Sequence, residues 1–130
     1  MRSEVMPLLT EIGAHLATKS IGTVGTDMFL GLMPDQPDNC VSLFEYAGSP
    51  PDLHWAGEYP GLQVRVRNKS YAAARAKIGE IAKELHGLHE QMLSGTRYLL
   101  IKARGSPEIL KRDASNRVEL VLNFEVMKES

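Results

Sequence analysis

The chain has 130 residues, a formal net charge of −1, and 43% hydrophobic and 24% charged residues. That length suits one domain, residues 1–130, with a buried core, and the near-neutral charge argues against a dedicated nucleic-acid binder. No run of about 18 apolar residues occurs, so no membrane span is expected. Cys40, the only cysteine, can form no internal disulfide, which fits a reducing compartment. Residues 1–5 lack the apolar region of a secretion signal, so Asn68-Lys69-Ser70 reads as a helix start rather than a glycosylation site.

In chain order, residues 3–18 predict a helix. Val5, Leu8, Leu9, Ile12 and Leu16 share one face, Ser3 caps it and Pro7 sits in its first turn, while Gly13 weakens its middle. Residues 19–26 read as a loop; Gly22 and Gly25 lack the Gly-Lys-Ser/Thr ending of a phosphate loop. The apolar run 27–33 predicts a strand covered on both sides. Turn residues 34–39 should return the chain into a second strand, 40–46, antiparallel to the first. A long irregular segment, 48–60, follows and contains Trp55.

Residues 61–67 alternate strictly, with Leu62, Val64 and Val66 on one side and Gln63, Arg65 and Arg67 on the other, which predicts a half-buried strand. Ser70 is placed to cap a helix over 70–86, with Tyr71, Ala74, Ile78, Ile81, Ala82 and Leu85 as its apolar stripe and Gly87 as its stop. Residues 86–96 give mixed signals, because Leu88, Met92 and Leu93 could carry a helix past Gly87. Residues 97–104 predict a strand, 108–111 a short run, 113–116 a turn, and 118–126 the longest strand. The fold class is α+β: a mixed or mostly antiparallel sheet of five to six strands with two main helices packed on one face. Met28–Met33, Leu43 with Phe44, Tyr98–Ile101 and Val121 place apolar side chains on both sheet faces, so a partner subunit is expected to cover the second one.

The charges are unevenly spread. Between Lys19 and Arg65 there is no Lys or Arg, and the interval holds Asp27, Asp35, Asp38, Glu45, Asp52 and Glu58. From Arg65 to Arg117 there are 12 basic and 5 acidic residues. Either the two sets interleave in space, or they form complementary surfaces that meet between subunits.

The run 59–67, then Tyr71-Ala72-Ala73-Ala74 and the helix to Leu85, resembles the bacteriophage minor capsid or tail terminator family, head–tail joining proteins of long-tailed phages. The resemblance extends to Phe29-Leu30-Gly31, Pro37-Asp38, Glu45-Tyr46, residues 106–113, Asn116-Arg117 and residues 121–126, in the family's order. It implies a structural virion protein, made in the host cytoplasm, that forms a homo-oligomeric and hexameric ring. Such a ring caps the tail tube, meets the tube protein on one face and the head connector protein on the other, and passes DNA through its lumen without specific binding. It implies no catalysis and no cofactor.

The candidate interface residues are Asp35, Asp38, Asp52, Trp55, Tyr59, Arg65, Arg67, Arg112 and Arg117. The three aspartates could line the lumen or a subunit contact. Arg65 and Arg67 could be a solvated strand face or a contact with a neighbour. Trp55 and Tyr59 could be an aromatic anchor or fold back on their own core. His86 and His89 resemble a metal pair only superficially; a histidine at a helix C-terminus is the simpler account. Two other functions stay open: a head-completion connector, and a small hydrolase using His54, Glu58 and Asp52.

Overall fold

The computed structural model describes residues 8–51 and 53–129. Its elements are α1 (Leu8–Thr18), β1 (Met28–Leu30), β2 (Cys40–Ser49), β3 (Gly57–Asn68), α2 (Tyr71–Leu85), β4 (His89–Leu93), β5 (Thr96–Ala103), β6 (Glu108–Arg112) and β7 (Val118–Glu129). The expected start of the first helix, with Ser3, Val5 and Pro7, lies outside the described residues. The sheet runs β1-β2-β3-β7-β5-β4, and β6 also pairs with β7. β5 and β6 lie end to end along one edge of β7, interrupted by residues 104–107. The α+β class and the mainly antiparallel sheet are as the sequence reading expects.

Alternate residues of the long strands build the core. Leu62, Val64 and Val66 of β3 stand opposite Phe124, Leu122 and Leu120 of β7. These residues join Ile12 and Leu16 of α1 and Ile78, Ile81 and Leu85 of α2 in one buried cluster. α1 packs on β1, β2 and β4, and α2 on β3, β7 and β5. Gly13 has a reason to be glycine: a Cβ there would stand 3.1 Å from the Leu30 side chain, so its absence lets α1 lie close to β1. Ser70 accepts a hydrogen bond from Ala73 N at 3.2 Å, and Gly87, at φ +85°, turns the chain out of α2. Ser70→Ala should lower unfolding free energy by about 1 kcal/mol, read from the urea midpoint at unchanged slope.

Four expectations are corrected. β1 runs parallel to β2, not antiparallel; the loop 31–39 carries the chain back to the level where β1 began before β2 starts. β1 is only three residues long and lies at the sheet edge, and of the run expected to be covered on both sides Met28 is buried while Phe29 and Leu30 are half-buried. The irregular segment is shorter than 48–60, because β2 continues to Ser49 and β3 begins at Gly57, which leaves 50–56 between them. Pro60 is tolerated within β3 because it faces the irregularity between Tyr46 and Ser49. Finally, 89–93 is a strand, not a helix extension. Ser94 and Gly95 both have positive φ and close a tight hairpin between β4 and β5, which brings the sheet to seven strands.

The second face of the sheet is less apolar than the sequence reading proposed. Met28, Leu43, Tyr98 and Ile101 all join the core cluster. A register irregularity between Tyr98 and Leu100 lets both Tyr98 and Ile101 turn inward, which strict alternation would forbid.

Candidate functional site

Two buried arginines organise the end of the second face. Arg67 of β3 donates to four main-chain carbonyls of the 31–39 loop: Pro34 (2.6 Å), Pro37 (2.7 Å), Asp38 (3.1 Å) and Asp35 (3.3 Å). Such a loop offers its carbonyls no strand partner, and a planar guanidinium with five donors can gather several of them at once. Arg117, just before β7, donates to Asp35 O (2.6 Å), Asp35 Oδ1 (3.0 Å), Asp38 Oδ1 (3.2 Å) and Asp113 Oδ2 (2.8 Å). Acidic and basic stretches that lie far apart in sequence therefore meet here within one chain.

The field of this cluster shifts its members. The main-chain N–H of Arg117, and then its guanidinium, hold Asp113 below the usual carboxylate range. At Asp38, desolvation opposes ionisation, but hydrogen bonds and charge from Lys69 and Arg117 outweigh it and the pKa falls. Desolvation also acts against the Arg117 charge, yet Asp113 and Asp35 raise its pKa. A carboxylate held low in the folded state contributes stability that is fully present above the unfolded value, about 3.9, and is lost as pH falls through the folded value. Amide protection at Asn116 and Arg117 should therefore drop below about pH 4, and Asp113→Asn should flatten that drop.

The rest of the second face is a polar ladder. Arg65 Nε donates to Gln63 Oε1 (2.7 Å), and Gln63 Nε2 to Asn123 Oδ1 (3.0 Å). The Arg65 guanidinium also covers the Phe44 ring at 4.8 Å. Beyond it lies an open groove of about 300 Å³ lined by Tyr46, Tyr59, Leu100, Lys102, Arg104 and Glu125 among others. Tyr46 OH donates to Phe124 O at 3.2 Å, and Gly61 leaves room for its ring, which a Cβ would meet at 2.5 Å.

Under α1 lies an ionic group that the sequence reading missed. Glu11 is fully buried. Its carboxylate accepts from Tyr98 OH (2.7 Å) and from Thr96 Oγ1, and stands 3.8 Å from Lys128 Nζ. Lys128, also buried, reaches Glu58 at 3.4 Å and lies over the Tyr98 ring. Burial, and then Glu11, push the Tyr98 phenol far above its ordinary value.

The other singled-out residues are dispersed. Trp55 Nε1 donates to Tyr59 OH (3.1 Å) and meets its ring edge to face; the indole folds over Gly57, where a Cβ would strike it. Asp52 lies outside the described residues. Arg112 donates to Asn116 at the surface. Glu58 is engaged by Lys128. His86 Nδ1 accepts from Ala103 N, and His89 Nδ1 lies 3.0 Å from Gly87 O. Among the described residues no three His, Cys, Asp or Glu side chains converge to hold a metal. Burial pushes the Cys40 thiol up, toward its unreactive protonated form. No described helix is long and apolar enough to cross a membrane.

The family model for bacteriophage tail terminator proteins matches residues 15–129. The chain belongs to the bacteriophage tail terminator family. The match takes in every element from β1 to β7 and leaves most of α1 outside. This tail terminator fold is similar to a chain of the virion of a native gene transfer agent particle, with a TM-score of 0.72 and 19% identity, covering 95% of each chain. No curated protein matches the sequence. Membership supports a structural part at the head–tail end of a phage-type particle.

Proposed function

We propose that this tail terminator domain, residues 1–130, works as a homo-oligomeric ring of six copies. The ring ends growth of the tail tube, meets the tube protein on one face and the head connector on the other, and lets DNA pass its lumen without holding it. The chain acts in the virion after assembly in the host cytoplasm. The observation that carries the reading is the family match across residues 15–129. The structure adds a surface suited to packing: a wide polar sheet face whose side chains already hold one another, with an open groove beside it. The family match supports a structural rather than catalytic role and favours a tail terminator over a head-completion connector. A lumen that passes DNA needs few free cations, because Lys and Arg contacts with phosphate are the main source of nonspecific affinity. Asp35, whose side chain is 83% exposed, and Asp38 keep that character on the loop that Arg67 and Arg117 fix. Arg65, Trp55, Tyr59, Arg112 and Asp52 remain contact residues within this reading.

Light scattering after size exclusion tests it. The expected result is a mass several times 14.4 kDa that falls with added salt. A monomer at every concentration and salt would overturn the ring in solution.

A further inference from the structure

α1 docks on the sheet with a polar stripe as well as an apolar one. Leu8, Ile12 and Leu16 enter the core, and Glu11 and His15, one turn apart, are buried beside them. Glu11 is well partnered, by Tyr98, Thr96 and Lys128. His15 is not. The residue is 9% exposed, and its Nε2 is buried with no hydrogen-bond partner among the described residues. The ring instead meets the main chain of Glu84, in the last turn of α2, where carbonyls lack helical partners. Nδ1–H is therefore the donor, and Nε2 keeps its lone pair.

A proton on Nε2 would be a buried donor with nothing to accept it, on a ring that then carries a full charge. Both are costly inside a fold. The groups that face the ring do not offset that cost. α1 brings Lys19, one turn further on, and Glu11, whose carboxylate is already engaged. α2 brings Lys83 and Glu84, the chain after α2 brings His86, and β4 brings the neutral Gln91. Glu84 is thus the one opposing carboxylate against two lysines. Burial, and then Lys19, hold the His15 pKa below its ordinary value despite Glu84.

We propose that α1 is an acid-released element of the fold, with His15 as its switch. With the imidazole neutral, α1 is docked. Once Nε2 takes a proton, the charge reaches water only with α1 off the sheet, and Leu8, Ile12 and Leu16 leave their places against β1, β2 and β4. The strands and α2, all within the matched residues 15–129, stay folded. The sign follows from the two states. His15 binds its second ring proton more weakly docked than released, so docking is strongest above about pH 6.5, the ordinary histidine value. As pH falls below that value, one proton taken up on release favours the open state by up to about tenfold per pH unit.

Hydrogen exchange from about pH 7.5 to about pH 5, a range that brackets histidine titration, tests this once corrected for the intrinsic pH dependence of amide exchange. Opening of α1 should rise roughly tenfold across the range, while β3 and β7 keep their protection. His15→Leu, with nothing to protonate, should abolish the rise. Unchanged protection of α1 in the natural chain would overturn the switch. So would a rise shared equally by β3 and β7, or one retained in His15→Leu. Should that variant not fold, ring-proton magnetic resonance of the natural chain decides. The His15 signal should titrate over the same range in which α1 opens, and a His15 that stays neutral while α1 opens would overturn the proposal.

Discussion

Glu11→Ala is expected to cost about 3–5 kcal/mol of unfolding free energy, the range for removing one partner of a buried ion pair. The reason is what stays behind. Lys128 remains buried with only the half-exposed Glu58 at 3.4 Å, and Tyr98 OH and Thr96 Oγ1 lose the acceptor they share. Removing the partner costs more than the pair is worth, because the remaining charge cannot reach water. Against a total stability of about 5–15 kcal/mol, this is a large fraction, and equilibrium urea unfolding reads it as a lower midpoint. Glu11→Gln keeps one oxygen acceptor and the side-chain volume in place and should cost less. A loss below about 1 kcal/mol for Glu11→Ala would show that Lys128 escapes to solvent and that α1 is not held through this group.

Arg67→Ala is the second large effect, at about 3 kcal/mol, since buried hydrogen bonds from a charged donor contribute about 1.5–3 kcal/mol and four carbonyls are released together. The damage should be local. Loop 31–39 loses its clip while α2 and β7 stay packed, so hydrogen exchange should speed up most in the loop and in β1. Arg67→Lys should recover only part of the loss, because an ammonium cannot reproduce the fixed fork that reaches several carbonyls. Uniform exchange across the whole sheet would contradict a local clip.

Legibility in the sequence followed the range of the determining contacts. The strand–helix unit over β3 and α2 was readable because its pattern switches from alternation to three- and four-residue steps, with Ser70 and Gly87 marking the helix ends. The closing hairpin was readable from the Asp113–Asn116 turn and the alternation of β7. The direction of β1 was not, because it depends on a loop held by Arg67 of β3 and by Arg117 just before β7, some thirty and eighty residues further along the sequence. β4 was missed although Ser94-Gly95 between two apolar runs signals a hairpin.

The buried ionic group did leave a trace. Glu11 interrupts the apolar side of α1, and Lys128 continues the inward alternation of Val118 through Val126, where charge is rarely buried without a partner. Nothing local joins the two, so the sequence offered two anomalies and the fold made them one group. At the candidate site, Asp35, Asp38, Arg67 and Arg117 could be singled out by charge. Their meeting within one chain, and the taking up of Arg67 by carbonyls rather than carboxylates, depended on the path of the loop.

The most direct test of the central claim is electron microscopy of tail tubes grown from purified tube protein with and without this chain. The account predicts a ring of the chain at one end of each tube and arrested growth at that end. Tubes of unchanged length with bare ends, and the chain left in the supernatant, would contradict it.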